Sequence, residues 1–312
     1  MQALWMLLGS LFFATMAVCV KIASAWFTSA ELIFYRGLLG MLFMWLLARY
    51  SGVALATAYP AMHAWRALVG VVSLGAWFYA IAWLPLATAV TLNYMSSVWI
   101  AAFLVGGALL VWPARGAGGA DPASGPVGPV PSTLLRQGPL VLTVLAGFAG
   151  VVMMLQPTIE QNQVFAGMIG LMSGMTAAFA YLQVMALGRL GEPELRTVFY
   201  FALGSTLAGA AVMLVQGVSP WPGRQALWLL PVGLLAALGQ LCMTRAYSQG
   251  ATLVVANLQY AGIVFGALYS VLLFGDAITP LGWAGMALIC ASGIAATVLR
   301  ARASPAAPPE EH

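Results

Sequence analysis

Polar positions are so sparse along this chain that its elements are best read from where the apolar runs stop. Ten runs stand out, over approximately 3–23, 29–48, 65–84, 87–111, 136–156, 164–187, 194–216, 226–247, 251–274 and 280–299. A helix of about 20 residues, rising 1.5 Å per residue, crosses the hydrocarbon core of a bilayer. The breaks fall at Trp26-Phe27-Thr28, Ser51-Gly52 with Tyr59-Pro60, Leu84-Pro85, Gln156-Pro157, Gly191-Glu192-Pro193, Ser219-Pro220-Trp221-Pro222, Gln249-Gly250 and Gly275-Asp276. Proline lacks the amide hydrogen a helix needs, and glycine clusters favour turns. The alternating segments of about ten residues that mark a membrane β-barrel are absent. The pattern predicts an all-α polytopic membrane protein of ten transmembrane helices.

A repeat runs through this pattern. Ala87-Thr88-Ala89-Val90-Thr91-Leu92-Asn93 returns as Ala251-Thr252-Leu253-Val254-Val255-Ala256-Asn257, and Gly75/Gly239 and Ala82/Ala246 fall on the same offset of 164 residues. The simplest reading is a duplication, with residues 1–156 and 164–300 as two five-helix units. An odd number of spans per unit forces the second to cross the membrane upside down. Such inverted repeats are used by secondary transporters.

Composition narrows the class. With 62% hydrophobic and 6% charged residues in 312, the chain cannot cover itself with polar groups as a water-soluble protein does. The net charge of +4 is spread over the loops, so it reports topology and offers no nucleic-acid patch. With the N-terminus in the cytoplasm, Arg49, Arg66, Arg115, Arg136, Arg189, Arg196, Arg245, Arg300 and Arg302 fall inside, and only Lys21 and Arg224 outside. Both termini are then cytoplasmic in a multi-pass inner-membrane protein. Met1 to Val20 has no basic leader and reads as a retained first span. The Pro/Gly-rich segment 113–132 is expected to be a flexible cytoplasmic loop, and 301–312 a disordered tail. Cys19, Cys242 and Cys290 sit singly in apolar runs, with neither disulfide nor metal spacing. No cofactor or metal is expected. The expected partners are the lipid bilayer and a small-molecule substrate, and one chain holding both repeats can form a complete carrier as a monomer, with a dimer left open.

Ionisable and amide side chains inside spans are the candidate chemistry, because a charge near the bilayer centre costs about 2.5–3.5 kcal/mol on insertion scales. Lys21 and Glu31 lie equally far from Trp26, so a hairpin sets them at one depth, as a structural ion pair or a proton-coupling site. Arg36 lies about 10 Å inside the second span with no carboxylate on its face of the helix, and its forked guanidinium suits a carboxylate or phosphate. Asn93 and Asn257 either tie helices together or border the cavity as counterparts. Tyr94, Gln259, Tyr260, Trp77 and Tyr79 are candidates for hydrogen bonds and aromatic walls. Gly70, Gly75, Gly204, Gly209 and Gly266 are expected to let helices approach closely.

Ten spans in a five-plus-five duplication, with Glu31-Leu32-Ile33-Phe34-Tyr35-Arg36-Gly37 and Leu272-Leu273-Phe274-Gly275-Asp276-Ala277-Ile278-Thr279, make the chain resemble EamA-type members of the drug/metabolite transporter superfamily. Where that family commonly carries prolines early in the fourth and ninth spans, this chain has Ser96-Ser97 and Ala261-Gly262, and Asp276 stands for a glutamate. The resemblance implies a carrier of a small organic metabolite working by alternating access, with a central cavity between the halves. A lipid scramblase or a membrane scaffold is the alternative. An enzyme is not expected, since His63 and His312 lie at loop and tail and no acidic pair occurs within a span.

Overall fold

A computed structural model describes residues 2–96, 98–100, 102–103, 131–155, 161–249 and 258–303. The described residues form helices joined by turns, without a strand: α1 (Gln2–Ala23), α2 (Ser29–Ser51), α3 (Pro60–Trp83), α4 (Leu86–Tyr94), α5 (Pro131–Leu155), α6 (Gln161–Arg189), α7 (Glu194–Gln216), a 3-10 turn (Gly223–Trp228), α8 (Leu229–Gln249), α9 (Ala261–Phe274) and α10 (Pro280–Ala303). Six of the helical stretches, those of α1, α2, α3, α6, α7 and α8 with its 3-10 turn, are long and apolar enough to cross a membrane.

The helix ends follow local chemistry. Thr28 caps α2, and its hydroxyl accepts from the Glu31 amide while the Glu31 carboxylate accepts from the Thr28 amide, a reciprocal box that satisfies otherwise orphaned amides. At the far end Gly52 takes the left-handed conformation, φ 69°, which a side chain disfavours. Pro60 opens α3, where its missing amide hydrogen costs nothing. Several boundaries differ from the expected ones, and α3 opens at Pro60 rather than at 65. α5 already includes residues 131–132 of the expected loop, and α10 runs on through 301–303 of the expected tail; the remainder of both segments lies outside the described residues.

The fourth run is not one helix. It turns at Met95, whose amide reaches back only to Leu92, and is helical again at 98–100. No proline or glycine marks the place. α6 comes close there: a Cβ added at Gly174 would lie 2.5 Å from the Leu92 carbonyl oxygen. In the ninth run Gln259 and Tyr260 likewise form a turn before α9 begins, and Gln259 stands 164 residues after Met95.

Packing joins the first part of the chain to the second. α1 lies along α8, α2 along α7, α3 along α6, α4 along α9 and α5 along α10. The α2–α7 contact is backbone against backbone, since a Cβ at Gly37 would meet the Thr206 amide at 2.6 Å, and one at Gly209 the Phe34 amide at 2.7 Å. Gly204 meets Ala67 at 2.6 Å and Gly266 meets Val90 at 3.0 Å, whereas Gly75 has only an ordinary contact with Ile33. Side chains such as Leu46, Leu68, Leu214 and Val215 stand exposed on the outer surface, as expected where lipid replaces water.

Candidate functional site

Where the paired helices meet, a cavity of about 60 Å³ is lined from α1, α2, α3, α4, α6, α7 and α8. Of the residues singled out from the sequence, Arg36, Trp77, Asn93 and Tyr94 line it. Arg36 is 4% exposed, and its guanidinium carbon lies 5.1 Å from the centre of the Phe201 ring on α7. Asn93 donates to the Ser173 hydroxyl at 3.1 Å, Ser173 donates to the Gly170 carbonyl, and Ser73 donates to the Ser173 carbonyl. Asn93 thereby ties α4 to α6 at the cavity edge. The Tyr94 hydroxyl rests where a Cβ at Gly262 of α9 would be, so the turn at Met95 follows directly on a residue that fills a groove in the partner helix.

A second arginine joins them that charge counting had assigned to the cytoplasmic loops. Arg66 is 3% exposed, lines the same cavity and sits 4.3 Å from the centre of the same Phe201 ring. Its guanidinium occupies the space that a Cβ at Gly70, one turn further along α3, would fill. The signal was present in Tyr59-Pro60: a helix started by Pro60 carries Arg66 well inside its second turn.

The other candidates lie elsewhere. Lys21 does not pair with Glu31. Its ammonium donates to the Leu84 carbonyl at 2.6 Å and the Ile81 carbonyl at 3.4 Å, and lies 5.6 Å from the centre of the Phe274 ring. A cation at the C-terminus of α3 answers unpaired carbonyls and the negative end of the helix dipole. Glu31 is fully buried, and its carboxylate accepts from the Thr28 amide and hydroxyl and from the Ser219 amide and hydroxyl, all within 2.9 Å. The expected ion pair is replaced by two separate structural caps. Tyr79 and Lys21 line a different, larger cavity of about 850 Å³ near the α1–α2 turn. Gln259 and Tyr260 are buried but do not line the central cavity. Gln259 accepts from the Tyr247 hydroxyl at 2.8 Å, and the Tyr260 hydroxyl packs where a Cβ at Gly293 would be. Asn257 lies outside the described residues. Asp276 accepts from Ser270, whose oxygen in turn accepts from the Ala87 amide, so it braces the start of α4.

At the opposite end from Glu31 the α6–α7 turn holds a cluster that its sequence separation concealed. Glu192 accepts from Arg196 at 2.9 Å and Thr57 at 3.0 Å, and bonds His63 at 3.3 Å. Arg196 also donates to the Ala54 carbonyl, and the His63 ring stacks on Tyr200 at 4.7 Å. Burial by itself pushes the Glu192 carboxyl up, but the hydrogen bonds from Arg196, Thr57 and His63 and the Arg196 charge outweigh it and hold the pKa below the ordinary glutamate value. Among the described residues no group of three or more histidine, cysteine or acidic side chains could hold a metal ion.

No family model matches the chain. It is 32% identical over 288 residues to the pseudopaline exporter CntI of Pseudomonas aeruginosa, covering 92% of this chain and 93% of that protein. It is 26% identical over 298 residues to an uncharacterized transporter of Helicobacter pylori, covering 92% and 91%. A riboflavin transporter of Rhizobium johnstonii is 27% identical over 303 residues, covering 94% and 89%. A crystal structure with a TM-score of 0.64, at 19% identity over 97% of this chain and 99% of that one, shares the fold.

Proposed function

The chain belongs to the membrane transporter family that includes the Pseudomonas aeruginosa pseudopaline exporter, and from that premise we propose that it is a secondary carrier moving a small organic metabolite by alternating access. The observation that carries the reading is the central cavity, built from helices of both halves and with a volume of about 60 Å³. That is room for a few waters, whereas metabolite sites run to about 300–1,000 Å³. Substrate binding then requires the halves to part, which is what a carrier does and an always-open channel does not.

Three further features support this reading. The helix pairing is unchanged when each of α1–α5 is exchanged with the helix five places on: α1–α8 becomes α6–α3, and α2–α7, α4–α9 and α5–α10 map onto themselves. This is the pattern expected of two inverted five-helix repeats in a ten-span, EamA-type fold. The turns at Met95 and Gln259 fall 164 residues apart, at equivalent places in spans four and nine. Glu31 and Glu192 close opposite ends of the α2–α7 pair. On this reading both termini are cytoplasmic in the inner membrane, the Glu192 cluster faces the cytoplasm and Glu31 the other side. The two relatives with named cargo carry different organic molecules, pseudopaline and riboflavin, so the small organic class is transferred here and neither compound is.

The test is efflux from proteoliposomes loaded with a bacterial metabolite extract, read by mass spectrometry. We expect saturable loss of a narrow set of compounds. Non-saturable leakage of everything small would make it a channel. Dithionite-accessible fluorescent lipid without solute flux would make it a scramblase, and neither flux a scaffold.

A further inference from the structure

The central cavity is lopsided in its hydrogen-bonding groups. Buried lining atoms left without a partner are Nε of Arg36, Nε and Nη1 of Arg66 and Nε1 of Trp77. All four are donors. Two formal positive charges are buried there to 96% or more, and the residues lining the cavity include no acid. The ion pairs among the described residues, His63–Glu192 and Arg196–Glu192, involve neither arginine.

An unpaired buried charge is costly, and the face of one phenylalanine offsets only part of it. Both guanidiniums use the same ring, Phe201, which holds their forks in place without consuming a single N–H. Gly70 leaves room for the Arg66 fork to lie back along its own helix against that ring, since a Cβ there would also press on Phe201 at 2.8 Å. The arrangement keeps donors idle around a void.

We infer that the cavity recognises the anionic groups of its cargo, and that the substrate class is small organic acids carrying two negative charges, one for each guanidinium. Planar guanidiniums match carboxylate oxygens in pairs, and the Trp77 N–H adds a further donor. The cavity at about 60 Å³ fits an acid group but not the body of a metabolite, so the aromatic lining of Trp77, Tyr94 and Tyr181 receives the body as the helices part. This inference rests on the carrier reading for its meaning, but its test does not need transport.

Thermal unfolding of the purified full chain is measured with malate and glutarate as dicarboxylate probes, glutarate dimethyl ester as neutral control, inorganic phosphate, and choline as cation. The expected result is a saturable rise in Tm with the dicarboxylates and none with the ester or choline. Arg36→Gln and Arg66→Gln should each weaken that response about tenfold or more, the loss typical of a hydrogen bond to a charged group. The same variants should unfold at or above the wild-type temperature without probe, because each removes an uncompensated buried charge. If the arginines were structural props, both variants would unfold earlier and no anion would shift the wild type; that pair of results overturns the inference. A shift with phosphate alone would replace organic acids by phosphate as the class. Saturable efflux of cations or neutral compounds from the loaded proteoliposomes would sink the anion assignment while leaving the carrier standing, and loss of all saturable flux with intact dicarboxylate binding would do the reverse.

Discussion

The two ends of the α2–α7 pair are closed by the same device in different chemistry. At one end Glu31, near the start of α2, clasps the loop that follows α7 through Ser219; at the other Glu192, just before α7, clasps the loop that follows α2 through Thr57. Glu31 is met by neutral amides and hydroxyls alone, whereas Glu192 is met by Arg196 and His63 as well. The 164-residue offset aligns Glu192 with Thr28, the cap of α2. A carboxylate stands at each corner, with Glu31 three positions beyond the residue that this offset pairs with Glu192. One carboxylate is held by neutral donors. The other is held by a charged partner, Arg196, as well.

The largest effect is expected from Gly37→Ala, which breaks both clasps at their common support. Its Cβ would meet the backbone of Thr206 at 2.6 Å and of Ala202 at 2.8 Å, and backbone cannot step aside as a side chain does. A loss of about 3 kcal/mol or more is expected, read as a fall in Tm with retained helicity; an unchanged Tm would mean that α2 and α7 are not held together there. Glu31→Ala comes next, at about 2–4 kcal/mol, because four donors lose a charged acceptor and α2 loses its capping box. Glu192→Ala is expected to cost less, about 1–2 kcal/mol, since Arg196 keeps its bonds to the Ala54 carbonyl. Equal losses in the two alanine variants would erase the distinction between the ends.

The smallest effect isolates the charge at the Glu192 end. The Glu192 pKa is lowered in the folded protein, so its contribution is complete above the unfolded value of about 4.3 and fades as pH falls through and below it. Wild-type stability should therefore drop on acidification below about pH 4 by more than that of Glu192→Gln, in a pair of unfolding curves recorded across that range. Parallel curves would remove the charge from the account.

Much of this was legible from residue types alone. Arg36, Trp77, Asn93 and Tyr94 reach one cavity because polar and aromatic groups in otherwise apolar helices find one another when lipid offers no partner. Arg66 was hidden by the rule that basic residues mark loops, which ignores a helix beginning six residues earlier at Pro60. Glu31 was misassigned although Thr28-x-x-Glu31 is a written-out capping box; matching its depth to Lys21 looked across the hairpin and overlooked the near neighbour. His63 and Glu192 stand 129 residues apart, and no periodicity connects them. The turn at Met95 has no local marker, and only the approach of Gly174 on α6 accompanies it.

The glycine-mediated contact of α2 with α7 also supplies an internal ruler. A contact between main chains has no rotamers to exchange, so it offers no intermediate settings: it stays whole or it is lost. If the carrier rocks its halves, spin labels on the outer surfaces of α2 and α7 should report one unchanging distance beside which every other helix pair can be calibrated.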